Sequence, residues 1–402
     1  MNLKNIKNLL LIGIVFLGNL AFFNAQNNSD FKTGAEQSEL YLPLLENKNV
    51  AVVTNKTGFV PLHIQPSPTY RISIVDFLVE NKINIKKIFA PEHGFRGDAD
   101  AGESIENGTD KKTGIPIVSL YGDNKKPKPE QLKDIDVIVF DIQDVGVRFY
   151  TYISTLTYIM EAAAENNVEV LVFDRPNPHD GYIDGPVLKK KWASFVGMHE
   201  VPVVYGLTIG EYGKMVNGEK WLKNGVQCNY TVIPMKNYHK KSRYGILEKP
   251  SPNLPNAKAI NLYPSLCFFE GTQVSVGRGT DLPFQIYGSP WTKNYDFKFT
   301  PKPTSGAKDP FLNGQLCYGE NLSHCPYLRE LNLDWLLNAY KHYKNPEQNF
   351  FLKNLYFDTL AGSDELRKQI IAGKSAAEIK DSWKPDLEKF QKIREKYVMY
   401  PD

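Results

Sequence analysis

The sequence predicts an α/β fold with a mainly parallel sheet over residues 30–250, followed by a smaller α+β domain over 251–402. Two patterns carry the first part. Short apolar runs of strand length alternate with stretches whose apolar residues recur at helical spacing, the rhythm of βαβ units. Three of these runs also end in loops dense in acids, amides, arginines and glycines. Ligands of open parallel sheets bind at such carboxyl ends. A third pattern marks the boundary: from Pro250–Pro255 (PSPNLP) onward the chain is richer in Gly, Pro and aromatic residues.

Asn49–Val53 reads as the first strand, closed by Thr54-Asn55-Lys56-Thr57-Gly58. Ile72–Asn81 reads as a helix leading into a strand at Ile85–Ala90 (IKKIFA). Ile117–Leu120 is short and apolar and runs into Tyr121-Gly122. Val137–Phe140 (VIVF) precedes a long helix from about Tyr150 to Asn166, with Ile153, Leu156, Ile159, Met160 and Ala163 at helical spacing. Val170–Phe173 (VLVF) follows, then a helix at Ile209–Asn217 and a strand at Tyr230–Pro234. Right-handed crossovers between parallel strands set their C-terminal loops along one edge. In the second part, Phe299–Pro310 (FTPKPTSGAKDP) reads as a loop or linker. Leu328–Asn345 and Ser375–Tyr397 read as helices, the latter with Ile379, Trp383, Leu387, Phe390 and Ile393 on one face.

Composition narrows the function classes. A chain of 402 residues has room for two real cores, and 42% hydrophobic with 23% charged residues is ordinary for a globular protein. The net charge of +3 comes with no basic block longer than runs such as Lys189-Lys190-Lys191, which argues against a nucleic-acid partner. Met1–Asn8 carries Lys4 and Lys7 and no acid, Leu9–Phe23 is apolar, and Asn24-Ala25-Gln26 has the form of a cleavage site. This reads as a secretory signal peptide over residues 1–25, and the mature chain is expected to be periplasmic or secreted with no membrane contact. The apolar run, ~15 residues, is short for a membrane span. Cys228, Cys267, Cys317 and Cys325 lie in the exported part. Cys317 and Cys325 are close enough in sequence to bridge, so one disulfide and free buried thiols both stand open. Their spacing is not that of a zinc site.

Glu92 is the sharpest catalytic candidate. It follows a strand, sits between Pro91 and His93, and its loop closes with Gly94 and Gly97. A rigid loop preorganises a side chain, and burial at a cleft floor raises a glutamate toward the range useful for a general acid. The alternative is a carboxylate that caps a turn or pairs with Arg96. His93 fits a second acid or base, a substrate hydrogen-bonder or a structural histidine. No cluster has metal-ligand spacing, so neither a metal nor a cofactor is expected. Asp141, Gln143, Asp144 and Arg148 crowd one strand end, which suits orienting a sugar or stabilising positive charge; an internal salt bridge is the alternative. Asn177 lies in Asp174-Arg175-Pro176-Asn177-Pro178 at another strand end. A third polar patch contains Glu270, Arg278, Thr280 and Asp281; Arg278 fits a bidentate clamp on a carboxylate or an interdomain ion pair. No P-loop, dinucleotide fingerprint or Gly-x-Ser-x-Gly elbow is present.

Several of these runs together resemble a known bacterial family. They are Ala90-Pro91-Glu92-His93-Gly94-Phe95-Arg96-Gly97, Ser119-Leu120-Tyr121-Gly122, Phe140–Tyr152 (FDIQDVGVRFYTY), Asp174–Pro178, Pro252-Asn253, Phe269-Glu270-Gly271-Thr272 and Gly277-Arg278-Gly279-Thr280. The family is that of the exo-acting β-N-acetylmuramidases, formerly a domain of unknown function, and the likeness spans about 35 to 400. The resemblance implies a Rossmann-like N-terminal domain, a smaller C-terminal domain and an active site in the cleft between them. It implies removal of β-linked N-acetylmuramic acid from the non-reducing end of peptidoglycan fragments, an activity of cell wall recycling. Glu92 matches the family glutamate proposed as the acid. Gln273 and Val276 depart from the family's Thr-Asn-Val-Ser-Glu-Gly run, which touches fine specificity.

A peptidoglycan-derived sugar then becomes the expected partner. The second catalytic role falls to Asp141 or Asp144, with Glu270, Asp281 and the substrate's own 2-acetamido group as alternatives. His93, Arg96, Gln143, Arg148, Asn177, Asn253, Glu270, Arg278 and Thr280 are the expected substrate contacts. Arg96, Arg148 and Arg278 are available for the lactyl carboxylate, Arg278 foremost. A periplasmic sugar-binding protein and a metal-dependent amidase or deacetylase are the competing readings.

Overall fold

The computed structural model describes residues 31–402 apart from 65–66, 93, 97–106 and 243, with side chains left out across 62–69. The signal-peptide reading and His93 therefore lie outside the described residues. Among those described, seven strands form one sheet: β1 (Asn49–Thr54), β4 (Asn84–Ala90), β5 (Gly108–Thr109), β6 (Pro116–Ser119), β7 (Val137–Asp141), β8 (Glu169–Phe173) and β9 (Tyr230–Ile233). Their order is β5-β6-β4-β1-β7-β8-β9. Every pairing is parallel except that of β5 with β6. The chain builds outward from β1 through β4 and β6, then returns to β7 on the other flank. The strand order thus reverses beside β1, where open α/β sheets bind their ligands.

The central strands explain their own placement. β1 (NVAVVT), β7 (VIVFD) and β8 (EVLVF) are β-branched runs buried on both faces, as a parallel sheet covered on both sides requires. Alternate residues of β1 enter different cores: Val50 and Val52 pack with Tyr41, Val75 and Leu78, whereas Ala51 and Val53 join the larger cluster. That larger cluster runs through the Tyr152–Asn166 helix to Phe268, Leu336, Phe357, Ile379 and Phe390, so the C-terminal part packs on one face of the sheet. Caps fix the helix ends. Asn167 closes the Tyr152–Asn166 helix in the left-handed conformation, and Thr208 with Glu211 and Ser375 with Glu378 open the Ile209–Gly218 and Ala376–Arg394 helices as capping boxes.

The smaller C-terminal part holds a three-stranded antiparallel sheet, β10 (Ile286–Ser289), β12 (Cys317–Asn321) and β11 (Phe297–Phe299) in that order. Two local readings are corrected, a further helix appears, and the cysteine alternatives are decided. Ile72 belongs to a hairpin of β2 (Phe59–Ile64) and β3 (Ser67–Ser73), where it pairs with Val60, and the helix is only Ile74–Glu80. A β-branched residue serves either state, and the cross-strand partner decided. The expected helix 328–345 shortens to Asp334–His342, because the preceding residues hold backbone positions against Asn261 and Ser265. A helix at Ala257–Leu266, with Pro264 inside it, had no clear periodic signal. All four cysteines are free, so the Cys317–Cys325 bridge is not formed. No helix among the described residues is long and apolar enough to cross a membrane.

Candidate active site

A cleft of about 780 Å³ opens at the carboxyl end of the sheet, within the usual range of small-molecule sites. Glu92 after β4, Tyr121 after β6 and Thr151 at the start of the long helix form one wall. Glu270, Arg278 and Tyr356 from the C-terminal part form another, and the Gly306–Phe311 segment a third.

Glu92 is held by its surroundings. The Gly94 N–H donates to the Pro91 carbonyl at 3.0 Å, with Gly94 at φ 74°, which closes a tight turn around it. Thr151 Oγ1 donates to Glu92 Oε2 at 2.8 Å, and the Tyr121 hydroxyl hydrogen-bonds the same carboxyl group. Burial, and then the Glu92 charge, push the Tyr121 phenol up to about 12, so it stays a donor at neutral pH. Tyr152 reaches the Glu92 backbone carbonyl at 3.4 Å and accepts from Asn55 Nδ2 at 2.7 Å, which ties the loops after β1 and β4 to the helix.

Across the cleft, Arg278 Nε donates to Glu270 Oε1 at 2.7 Å, and the guanidinium lies 5.0 Å over the Phe284 ring. Burial works to lower the arginine's hold on its proton, but the Glu270 carboxylate more than offsets it, so Arg278 is a fixed cation. Both side chains keep about a quarter of their surface open to the cleft, 26% and 21%. A Cβ on Gly271 would lie 2.3 Å from Phe357 Cα. Only glycine lets the two segments meet here, and their meeting sets Tyr356 beside Glu270.

Of the expected site residues, the structure brings together Glu92, Glu270 and Arg278. The other described ones stand elsewhere, each for a visible reason, and His93 lies outside the described residues. Asp141 is fully buried in a bidentate pair with Arg175, at 2.6 Å to Nε and 2.9 Å to Nη2. Asp144 is 4% exposed and accepts from the Gly146 N–H and the Tyr205 hydroxyl; burial pushes its carboxyl up to about 6 against those bonds. Arg148 is fully buried and donates to the carbonyls of Pro186, Val201 and Leu360, with burial pulling it down to about 9. Gln143 donates to the carbonyls of Asp144 and Pro176, and Asn177 to that of Leu207. Arg96 forks onto Asp110 beside a separate, smaller cleft. Thr280 closes its own turn on Gly277. Asn253 is buried and bonds the Gly306 carbonyl, so it braces the cleft wall from behind. These residues shape the loops that carry the site. Polar side chains at a strand end serve both purposes, and their spacing does not separate the two.

Tyr121, Thr151 and Tyr356 carry no role predicted from sequence, and the 299–310 stretch reads there as a loop or linker. Tyr121 sits at a strand end, a signal as good as the one that pointed to Glu92. Nothing local marks Tyr356, which reaches the cleft through packing alone. Among the described residues, no group of three or more His, Cys, Asp or Glu is arranged to hold a metal ion.

Two family models match the chain: the N-terminal region of the exo-β-N-acetylmuramidase NamZ over residues 50–258, and its C-terminal region over 261–400. The peptidoglycan β-N-acetylmuramidase NamZ of Bacillus subtilis (strain 168) is 37% identical over 418 residues, covering 97% of this chain and 98% of its own. Two crystal structures of DUF1343 family proteins from Bacteroides fragilis are similar. One is 45% identical with a TM-score of 0.83, covering 93% of this chain and 99% of that one. The other is 31% identical with a TM-score of 0.76, covering 92% and 99%.

Proposed function

The chain belongs to the exo-β-N-acetylmuramidase family NamZ, and from that premise we propose that Glu92 is the general acid of its reaction. The enzyme is a glycoside hydrolase that releases β-linked N-acetylmuramic acid from the non-reducing end of peptidoglycan fragments. The observation that carries the Glu92 assignment is its position on the cleft wall, oriented by the hydroxyls of Thr151 and Tyr121 and facing the cleft shared with Arg278.

The chemistry follows from that arrangement. Glu92 gives its proton to the glycosidic oxygen as the bond from C1 to that oxygen breaks, so the leaving sugar departs as a neutral alcohol; the oxygen of a water takes its place on C1, and the proton that water sheds restores the acid. Arg278 binds the lactyl carboxylate. Its Nε is committed to Glu270, which leaves the Nη edge for a planar, charge-assisted contact. Glu270 thus holds the arginine, and Asp141 and Asp144, buried in other contacts, serve the loops. The alternative of a non-catalytic sugar-binding protein is disfavoured by membership in a hydrolase family. Turnover of a chromogenic β-N-acetylmuramide by the unmodified protein and by Glu92→Gln is the test. Equal rates would remove Glu92 from the mechanism.

The basic start and apolar run of residues 1–25 support export, which brings the enzyme to fragments shed by the cell wall and fits a role in their recycling. Mass measurement of the mature protein tests this: a chain beginning at Gln26 is expected, and an intact Met1 would refute it.

A further inference from the structure

Tyr356 opens the short Tyr356–Ala361 helix and faces the cleft. Three features fix it there. The residue before it, Leu355, has the left-handed backbone conformation with φ 58°, which a leucine adopts only when its surroundings impose it. The Tyr356 N–H is bound by Asn354 Oδ1 at 3.1 Å. The next residue, Phe357, is buried against Phe351 and against the backbone of Gly271. The hydroxyl itself has no hydrogen-bond partner among the described residues, whereas those of Thr151 and Tyr121 are taken up by Glu92. Burial, and then the Glu270 carboxylate, raise the phenol well above its ordinary value, so it is a proton donor at any working pH. Tyr356 lines the same cleft as both ends of the site, Glu92 on one side and Glu270 with Arg278 on the other, and the contact of Gly271 with the Phe357 backbone sets it beside Glu270.

The order of substituents on the sugar ring gives this position a meaning. C1 carries the scissile bond, C3 carries the lactyl ether, and C2 between them carries the acetamido group. With C1 at Glu92 and the lactyl carboxylate at Arg278, the C2 substituent between them lies in the cleft that Tyr356 lines. We propose that Tyr356 is a specificity-determining contact whose hydroxyl donates a hydrogen bond to the carbonyl oxygen of the substrate's 2-acetamido group. The inference rests on the roles of Glu92 and Arg278 given above.

The test uses Tyr356→Phe in the full mature protein. Because the hydroxyl has no hydrogen-bond partner among the described residues, the variant keeps its packing and its unfolding temperature. Inhibition constants are measured for N-acetylmuramic acid and for muramic acid, which lacks the acetyl group, against hydrolysis of a nitrophenyl β-N-acetylmuramide. One hydrogen bond in a desolvated site is worth about tenfold. The variant should bind N-acetylmuramic acid about tenfold more weakly and muramic acid unchanged, and its kcat/KM on the muramide should fall about tenfold or more. Equal weakening toward both sugars, or undiminished affinity for N-acetylmuramic acid, would overturn the assignment. If muramic acid competes with neither protein, the change for N-acetylmuramic acid alone decides. Arg278→Ala, run alongside, should weaken both sugars alike. Full activity in Glu92→Gln, with Tyr356→Phe still selective for the acetyl group, would refute the acid assignment and leave the Tyr356 contact standing.

Discussion

Glu92→Gln and Asp141→Asn change the same atoms, one carboxylate oxygen to an amide, and should have opposite consequences. In the first, the glutamine carbonyl still accepts the Thr151 hydroxyl now at 2.8 Å, and the site is partly open to water. The stability cost is that of one imperfect hydrogen bond, about 1 kcal/mol or less. The chemical cost is large, because an amide has no proton to give: loss of a general acid lowers the rate by about 10²–10⁴-fold, or roughly 3–5.5 kcal/mol in the barrier. In the second, a fully buried carboxylate that holds Arg175 at 2.6 and 2.9 Å becomes neutral. Arg175 keeps its bond to the Phe59 carbonyl but loses its counter-charge, and breaking such a pair costs about 3–5 kcal/mol. Thermal unfolding and single-substrate kinetics on both variants give the answer. Glu92→Gln should unfold near the parent temperature with kcat lost, whereas Asp141→Asn should unfold early while its folded fraction keeps near-normal kcat. The Glu92 loss should also be smaller on a nitrophenyl glycoside than on a disaccharide, since nitrophenolate leaves with little protonation. A stable, inactive Asp141→Asn beside an active Glu92→Gln would refute the reasoning.

Arg278→Ala should raise KM for a muramide at least tenfold and barely change hydrolysis of the N-acetylglucosaminide, which the parent enzyme should cleave more slowly by orders of magnitude; equal parent rates on both sugars would contradict a lactyl-reading arginine. EDTA should leave turnover unchanged, and loss of activity restored by Zn²⁺ would refute the metal-free proton transfer from Glu92. His199 predicts a pH effect on stability: it is buried, stacked on Trp221, and burial pulls it from 6.5 to about 4. A base whose folded value is lowered contributes stability that is present above pH 6.5 and lost as pH falls toward 4. The difference corresponds to about 3 kcal/mol at ~1.4 kcal/mol per pH unit. Denaturant titrations at pH 7.5 and 4 should show His199→Gln losing less stability over that interval than the parent, and identical losses would count against it.

By itself, the sequence determined the parallel sheet and the loop that carries Glu92. Runs such as VIVF at 137–140 and VLVF at 170–173 need burial on both faces, and a Pro/Gly loop directly after a strand fixes its side chain at the ligand-binding edge; both are local facts. The sequence also carried long motifs specific enough to point to the family. What it did not contain was the direction in which each polar side chain turns. Asp141, Asp144, Arg148 and Asn177 stand at strand ends as Glu92 does, but partners from distant segments claim them: Arg175, Tyr205, the Leu360 carbonyl and the Leu207 carbonyl. A buried charge or amide must find a partner, and which partner comes within reach is set only when the layers pack. The same holds for the other side of the cleft. Glu270, Arg278 and Tyr356 lie within 87 residues of one another but more than 170 from Glu92, and they face it only because Gly271 lets the Phe357 backbone close against it while the C-terminal helices bury their apolar faces on the sheet. Periodicity records which face of an element is apolar, whereas the juxtaposition of two remote polar groups is a property of the packed whole.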